Sequence, residues 1–218
     1  MISAHHKLAA TLTGALAAAG AALALSGALA SASPGSSEPA SREIAAPSAE
    51  QVAAFPVLGT PATQADTATS SPPALEALGE AQARYAANPS LGRVVAQTPA
   101  GTAVVVPGEG VLCLLVLRPG EQAASFCDPN AAAASEGLGA REDVGDERYT
   151  LIGVFPSSAD ASDLRLAGAA GAETPVELSA DAGYVVETAA RPSQLRWSGT
   201  GGAQQSRQII WPPLPGSR

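Results

Sequence analysis

The chain has 218 residues, a formal charge of −8 and 46% apolar residues. Alanine fills 49 positions, while Leu, Ile, Val and Phe together fill only 43, close to the level at which a chain stops being able to build a core. These figures exclude a large single globule and a polytopic membrane protein, and the acidic balance leaves no basic surface to displace counterions from nucleic-acid phosphates.

Met1 to Lys7 is a short start with one firm positive charge, and Leu8 to Ala30 then runs 23 residues without a charge. Ala28-Leu29-Ala30 and Ala30-Ser31-Ala32 both carry the small-x-small pattern of signal peptidase sites, followed by Pro34. Residues 1–32 therefore read as a secretory signal. The alternative is an uncleaved anchor through residues 8–30, since 23 residues can span a bilayer. Only six of them are Leu and 11 are Ala, a weak driver of insertion, which favours cleavage. In either case the remainder is expected outside the cytoplasm, secreted or held on the membrane.

Removing that segment strips the chain of much of its chemistry. His5 and His6 are the only histidines, Lys7 the only lysine and Met1 the only methionine. Ser-His-Asp and Cys-His sites, a Ser-Lys dyad, histidine-containing zinc sites and lysine-bearing phosphate loops are all excluded from the mature chain. Carboxylate chemistry and a cysteine pair remain.

Residues 33–71, rich in Ser, Pro, Ala and Thr, read as a disordered linker, with Phe55-Pro56-Val57-Leu58 as an apolar docking island. A helix follows, capped by Ser70 or Ser71 and opened by Pro72 and Pro73. Leu75, Leu78, Ala81 and Tyr85 share one face at helical spacing, and Asn88-Pro89 ends it. From Leu91 to Thr200 the pattern changes to short strands: Thr102–Val106, Val111–Leu117, Ala123–Cys127, Tyr149–Phe155, Asp163–Ala167, Pro175–Ser179, Gly183–Glu187 and Gln194–Trp197. Gly, Pro, Asp and Ser punctuate them. A brief helix is expected at Ala131–Glu136 with Gly137 as its stop. The fold class is mainly β, a small β-sandwich or partial barrel with one or two short helices. The helix plus β domain spans 72–200, and 201–218 forms a proline-rich tail.

Cys113 and Cys127 flank the turn signal Pro119-Gly120. If Leu117 pairs with Ala123, Cys113 lies directly opposite Cys127, and two cysteines in an exported domain favour a bridge. The loop closed is about 15 residues, worth roughly 3 kcal/mol in the chain-entropy account.

Phe55-Pro56-Val57-Leu58 with Asp66, Val106-Pro107-Gly108, the two cysteines, Gly153-Val154-Phe155-Pro156 and Asp181-Ala182-Gly183-Tyr184 occur in this order. The series resembles a group of uncharacterised exported or membrane-anchored actinobacterial proteins over residues 55 to about 200. Ala182 stands where Asn is usual in that group. The resemblance implies location and architecture and no activity.

Other candidates are weaker. The charged run Arg141 to Arg148, with acidic residues between 142 and 147, reads as a solvated linker rather than a cation loop, because it lacks the spaced ligands of a calcium loop. Asp160 and Asp163 read as turn residues rather than an acid/base pair. Trp197 and Tyr184 read as core. Ile209 to Pro215 reads as a last strand or covering tail, with polyproline docking as its alternative. No catalytic residue, cofactor or metal ligand is assigned. The expected function is a non-catalytic exported β domain facing an envelope or extracellular partner, with the helix around Leu75–Tyr85 as one element that could regulate such a partner. The alternative is a carboxylate-dependent hydrolase, which needs two convergent carboxylates.

The paired cleavage patterns predict a mature N-terminus near Ser31 or Ser33, checked by intact mass of the exported protein. Recovery of only full-length, cell-bound chain would instead establish the anchor.

Overall fold

The computed structural model describes residues 46–120, 123–145, 147–168 and 171–211. The signal or anchor, the first part of the expected linker, Asp146 and the end of the proline-rich tail lie outside them. The mainly β expectation holds. Strands β1 (Arg93–Thr98), β2 (Gly101–Gly108), β3 (Val111–Leu117) and β4 (Ala124–Pro129) form one antiparallel sheet in chain order. A second sheet has the order β5 (Leu138–Gly145), β6 (Arg148–Val154), β9 (Gly183–Thr188). The third contains β7 (Ser162–Gly168), β8 (Glu173–Pro175), β10 (Pro192–Ser198) and β11 (Gln204–Gln208), ordered β11-β10-β7-β8. Helices α1 (Ala49–Ala54), α2 (Pro72–Tyr85) and α3 (Asn130–Glu136) complete the fold. Among the described residues no sheet closes into a barrel.

The sequence of β3, Val-Leu-Cys-Leu-Leu-Val-Leu, does not alternate with polar residues because both of its faces are buried. Cys113 and Leu115, with Val104 and Val106 of β2, pack under Ala74, Leu78 and Ala81 of α2. Leu112, Leu114 and Val116, with Ala103 and Val105, face the other way, onto Leu138, Ile152, Val154 and Val185 of the second sheet. The opposite face of that second sheet supplies Leu151 and Tyr184 to a third core, shared with Leu164, Leu166 and Leu195 of the third sheet. The helix therefore covers the first sheet, the second sheet lies beneath it, and the third sheet follows.

Helix α2 matches the predicted span, but its buried stripe is Ala74, Leu78 and Ala81, while Leu75 is 41% exposed. Small alanines against the sheet let the helix approach closely and turn Leu75 outward. The chain leaves α2 through Ala86, held in the left-handed region at φ 49°. Its N–H donates to the Gln82 carbonyl, and the Ala87 N–H to the Ala81 carbonyl, the paired bonds of a left-handed helix cap.

The linker expectation for 33–71 is corrected over residues 46–71, which fold onto the β domain. Ser48 caps α1 through a capping box: its hydroxyl accepts the Gln51 N–H, and the Gln51 side chain accepts the Ser48 N–H. Two 3₁₀ turns follow, Pro56–Gly59 and Ala65–Ser70. Phe55 and Leu58 are buried in the central core, and that burial, with hydrogen bonds donated by Gln51 and accepted by Asp66, offsets the ordering entropy that composition alone suggested would win. The tail boundary also moves. Residues 204–208 form β11 on the third sheet, and Ile209 N–H donates to Ser193.

Within the β region, β1, β5 and β11 were not anticipated. The acidic run read as a linker instead forms the β5–β6 hairpin, with Gly145 opposite Arg148. Pro175–Ser179 keeps ladder pairing only through Glu173–Pro175, although buried Val176 still donates to Leu164.

Limited proteolysis should therefore leave residues 48–70 uncut within the same resistant fragment as the β domain. Free cutting inside 55–70 would contradict the docked segment. Replacing Ala86 with Gly, which adopts the left-handed cap without a Cβ penalty, should raise unfolding free energy by about 1 kcal/mol in urea titration.

Candidate functional site

Three turns that are distant in the chain meet at one cleft of about 170 Å³, lined by Phe55, Pro56, Val57, Phe155, Ser157, Ala180, Asp181 and Ala182. Each wall is held for a separate physical reason. Phe55 is anchored in the central core, and its N–H donates to the Gln51 carbonyl. Phe155 belongs to the third core, with its ring 4.9 Å from Trp197 and 5.7 Å from Tyr184. The cleft thus opens at the seam between two cores.

The third wall is the turn 179–182. The Ser179 hydroxyl accepts the N–H groups of Asp181 and Gly183 at 3.2 and 3.0 Å and donates to the Val95 carbonyl. The Ala182 N–H donates to the Ser179 carbonyl, and the Ala182 carbonyl accepts the Phe155 N–H at 3.1 Å. Ala182 itself is held at φ 55°, a conformation that Asn or Gly adopts at lower cost. Gly183 is required by proximity, since a Cβ there would lie 2.5 Å from the Val95 carbonyl oxygen. Gly153 serves the same end, because a Cβ there would meet the Tyr184 hydroxyl at 2.5 Å. Burial pushes the Tyr184 phenol up to about 12.

The segment that carries Phe55 to Val57 is clamped to the first sheet by two buried groups. Gln51 donates to the carbonyls of Gly108 and Val111 at 2.9 and 2.8 Å and to the Asn130 side chain at 3.1 Å. Asp66 accepts from Thr63 N–H at 2.6 Å, Thr63 hydroxyl at 2.9 Å and Val94 N–H at 2.7 Å. Burial alone would raise the Asp66 carboxyl, but those hydrogen bonds and the nearby Arg93 guanidinium outweigh it and hold the group below its ordinary value. Arg93 is buried and donates twice to the Thr60 carbonyl, at 3.1 and 3.0 Å.

The remaining candidates settle elsewhere. Cys113 and Cys127 are joined, with Cα atoms 4.0 Å apart, in the register expected from the hairpin. Asp163 pairs with Arg165 at 2.9 Å, and Asp160 sits at φ 45° after a 3₁₀ turn. In the acidic hairpin Glu142 pairs with Arg118, and Asp143 accepts the Gly145 N–H; among the described residues no cluster of three His, Cys, Asp or Glu gathers to hold a metal ion. Tyr184 is core and Trp197 packs against it. Trp211 donates to the Pro192 carbonyl at 2.6 Å and packs edge-on to Tyr149 at 5.2 Å, so the tail covers the domain as far as that residue. Helix α2 spends its apolar stripe on the first sheet.

Two further clefts formed by the described residues can be compared with the Phe55/Phe155 cleft. One, of about 310 Å³, is lined by Ser48, Gln51, Glu109 and Asn130 among others; the other, of about 180 Å³, holds Arg118, Arg148, Thr150 and Glu187. Among the described residues, each of these three clefts has one acidic residue on its lining: Asp181, Glu109 or Glu187. Single residues do not reveal the Phe55/Phe155/Asp181 cleft in the sequence. The ordered series of Phe-Pro, Phe155-Pro156 and Asp181-Ala182-Gly183 segments was the one signal for it. No helix among the described residues is long and apolar enough to cross a membrane. Neither a family model, a curated protein nor a solved structure matches the chain.

Asp66→Asn should cost about 2 kcal/mol at neutral pH, because the Val94 or Thr63 N–H loses its acceptor in a buried setting. The folded carboxyl is depressed, so its contribution is full above about pH 4 and is lost as pH falls through the folded value. Urea midpoints measured from pH 7 to pH 2 should therefore fall less steeply for the variant; equal slopes would contradict the clamp.

Proposed function

We propose that the chain is an extracytoplasmic, non-catalytic β domain that binds a ligand or partner at the cell envelope. The disulfide supports the compartment, since such bridges persist where the surroundings are oxidising. The observation that carries the binding role is the preformed cleft at 55–57, 155–157 and 180–182, apolar on most of its walls and built by three separate segments. Hydrolysis by paired carboxylates needs two such groups about 5–10 Å apart around a scissile bond; among the described residues each of these clefts has one acidic lining residue, which supports binding over hydrolysis.

Two measurements test this reading. Expressed with its own N-terminal segment, the chain should be recovered outside the cytoplasm with Cys113 and Cys127 unavailable to thiol labelling; a cytosolic chain with labelled thiols would overturn the location. Incubated with soluble envelope glycans, it should release no new reducing ends. Release that disappears in Asp181→Asn, Glu109→Gln or Glu187→Gln would establish an enzyme instead.

A further inference from the structure

Resting on that binding reading, we propose that the Phe55/Phe155 cleft takes a small organic cation, its ammonium group beside Asp181 and its apolar body, about the size of one ring, against Pro56, Val57 and Ala182, with the buried phenylalanines forming the floor. Size is the first argument. An apolar cavity of about 150 Å³ accepts a benzene-sized guest, and this cleft offers about 170 Å³. Polarity is the second. The Ser157 hydroxyl already donates to the Ala53 carbonyl at 2.7 Å, and the Phe155 N–H already donates to Ala182. Among the described residues Asp181 is the charged group on the lining, and it is exposed at the surface.

Charge complementarity selects the sign. A carboxylate at the rim of an apolar cleft accepts charge-assisted hydrogen bonds from an ammonium and repels an anion, and the chain's formal charge of −8 reinforces that preference at longer range. The cleft is also preorganised. Phe55 and Phe155 are fixed in two cores, and the Asp181 turn is pinned by hydrogen bonds to Val95 and Phe155, so little ordering is required on binding. The other two clefts lack this combination. Gln51 and Asn130 in the largest are bonded to each other, and Arg148 in the third faces Glu187 at 3.4 Å.

The test is an NMR titration of the isotope-labelled, disulfide-closed chain with phenethylammonium, 2-phenylethanol and phenylacetate at neutral pH. Saturable shifts should localise to 55–57, 155–157 and 180–182, with a Kd on the order of 1 mM for the ammonium and weaker values for the alcohol and the acid. Asp181→Asn should weaken the ammonium about threefold to fivefold, the scale of an exposed ion pair, and leave the alcohol unchanged. Ala180→Leu, on the exposed turn, should obstruct all three. Saturable binding at the cleft with equal affinities, or an ammonium preference that survives Asp181→Asn, would overturn the cation assignment while leaving the binding reading intact. No saturable shift from any probe would overturn both.

Discussion

Burial of the first sheet on both faces is the constraint from which the rest of the fold follows. With few large apolar residues available, the chain concentrates them in β2 and β3, where every residue from Val104 to Val106 and from Leu112 to Leu115 is fully covered. A sheet buried twice needs a cover on each side. The alanine stripe of α2 supplies one, and the second sheet supplies the other. The disulfide lies on the α2 side, where Cys113 is itself a core residue, so the covalent tie and the packing hold the same hairpin.

The segment from Ser48 to Ser70 depends on that arrangement. Its helix and 3₁₀ turns are too short to persist alone, and they are held by what they contribute to the sheet: Phe55 and Leu58 to the central core, the Gln51 amide to the β2–β3 turn, and the Asp66 carboxylate to the first strand. Once docked, the segment brings Phe55 to Val57 against Phe155 and the 180–182 turn. The cleft is thus a consequence of the docking: Gln51, Leu58 and Asp66 clamp the segment from positions apart from the lining, and Phe55 both anchors the segment and lines the cleft.

The hairpin and its bridge were legible in the sequence because Pro119-Gly120 sets a turn and the register follows by counting. Strands β3, β6, β7, β9 and β10 were legible from apolar runs between turn residues. Strand β5 was hidden, because its exposed Arg141, Glu142 and Asp143 look like a solvated loop when the pairing partner is unknown. The docked segment was hidden by composition. Averaged over 33–71, Ser, Pro, Ala and Thr dominate, and the average conceals Ser48 and Gln51 at capping-box spacing and a carboxylate, Asp66, whose bond from Val94 spans 28 residues. The cleft was least legible, since its three walls are joined by packing between cores, which spacing along one chain does not encode. Asp66 and Gly183 fall within the ordered series of segments, but their physical roles, accepting the Val94 N–H and admitting the Val95 carbonyl, exist only in three dimensions.

Native-state hydrogen exchange tests the central claim most directly. If double-sided burial of the first sheet underlies the fold, the amides of Val104–Val106 and Leu112–Val116 should exchange only through global unfolding and be the slowest in the chain, with Leu164 to Leu166 of the outer third sheet opening earlier. Third-sheet amides that outlast those of β2 and β3 would contradict the account.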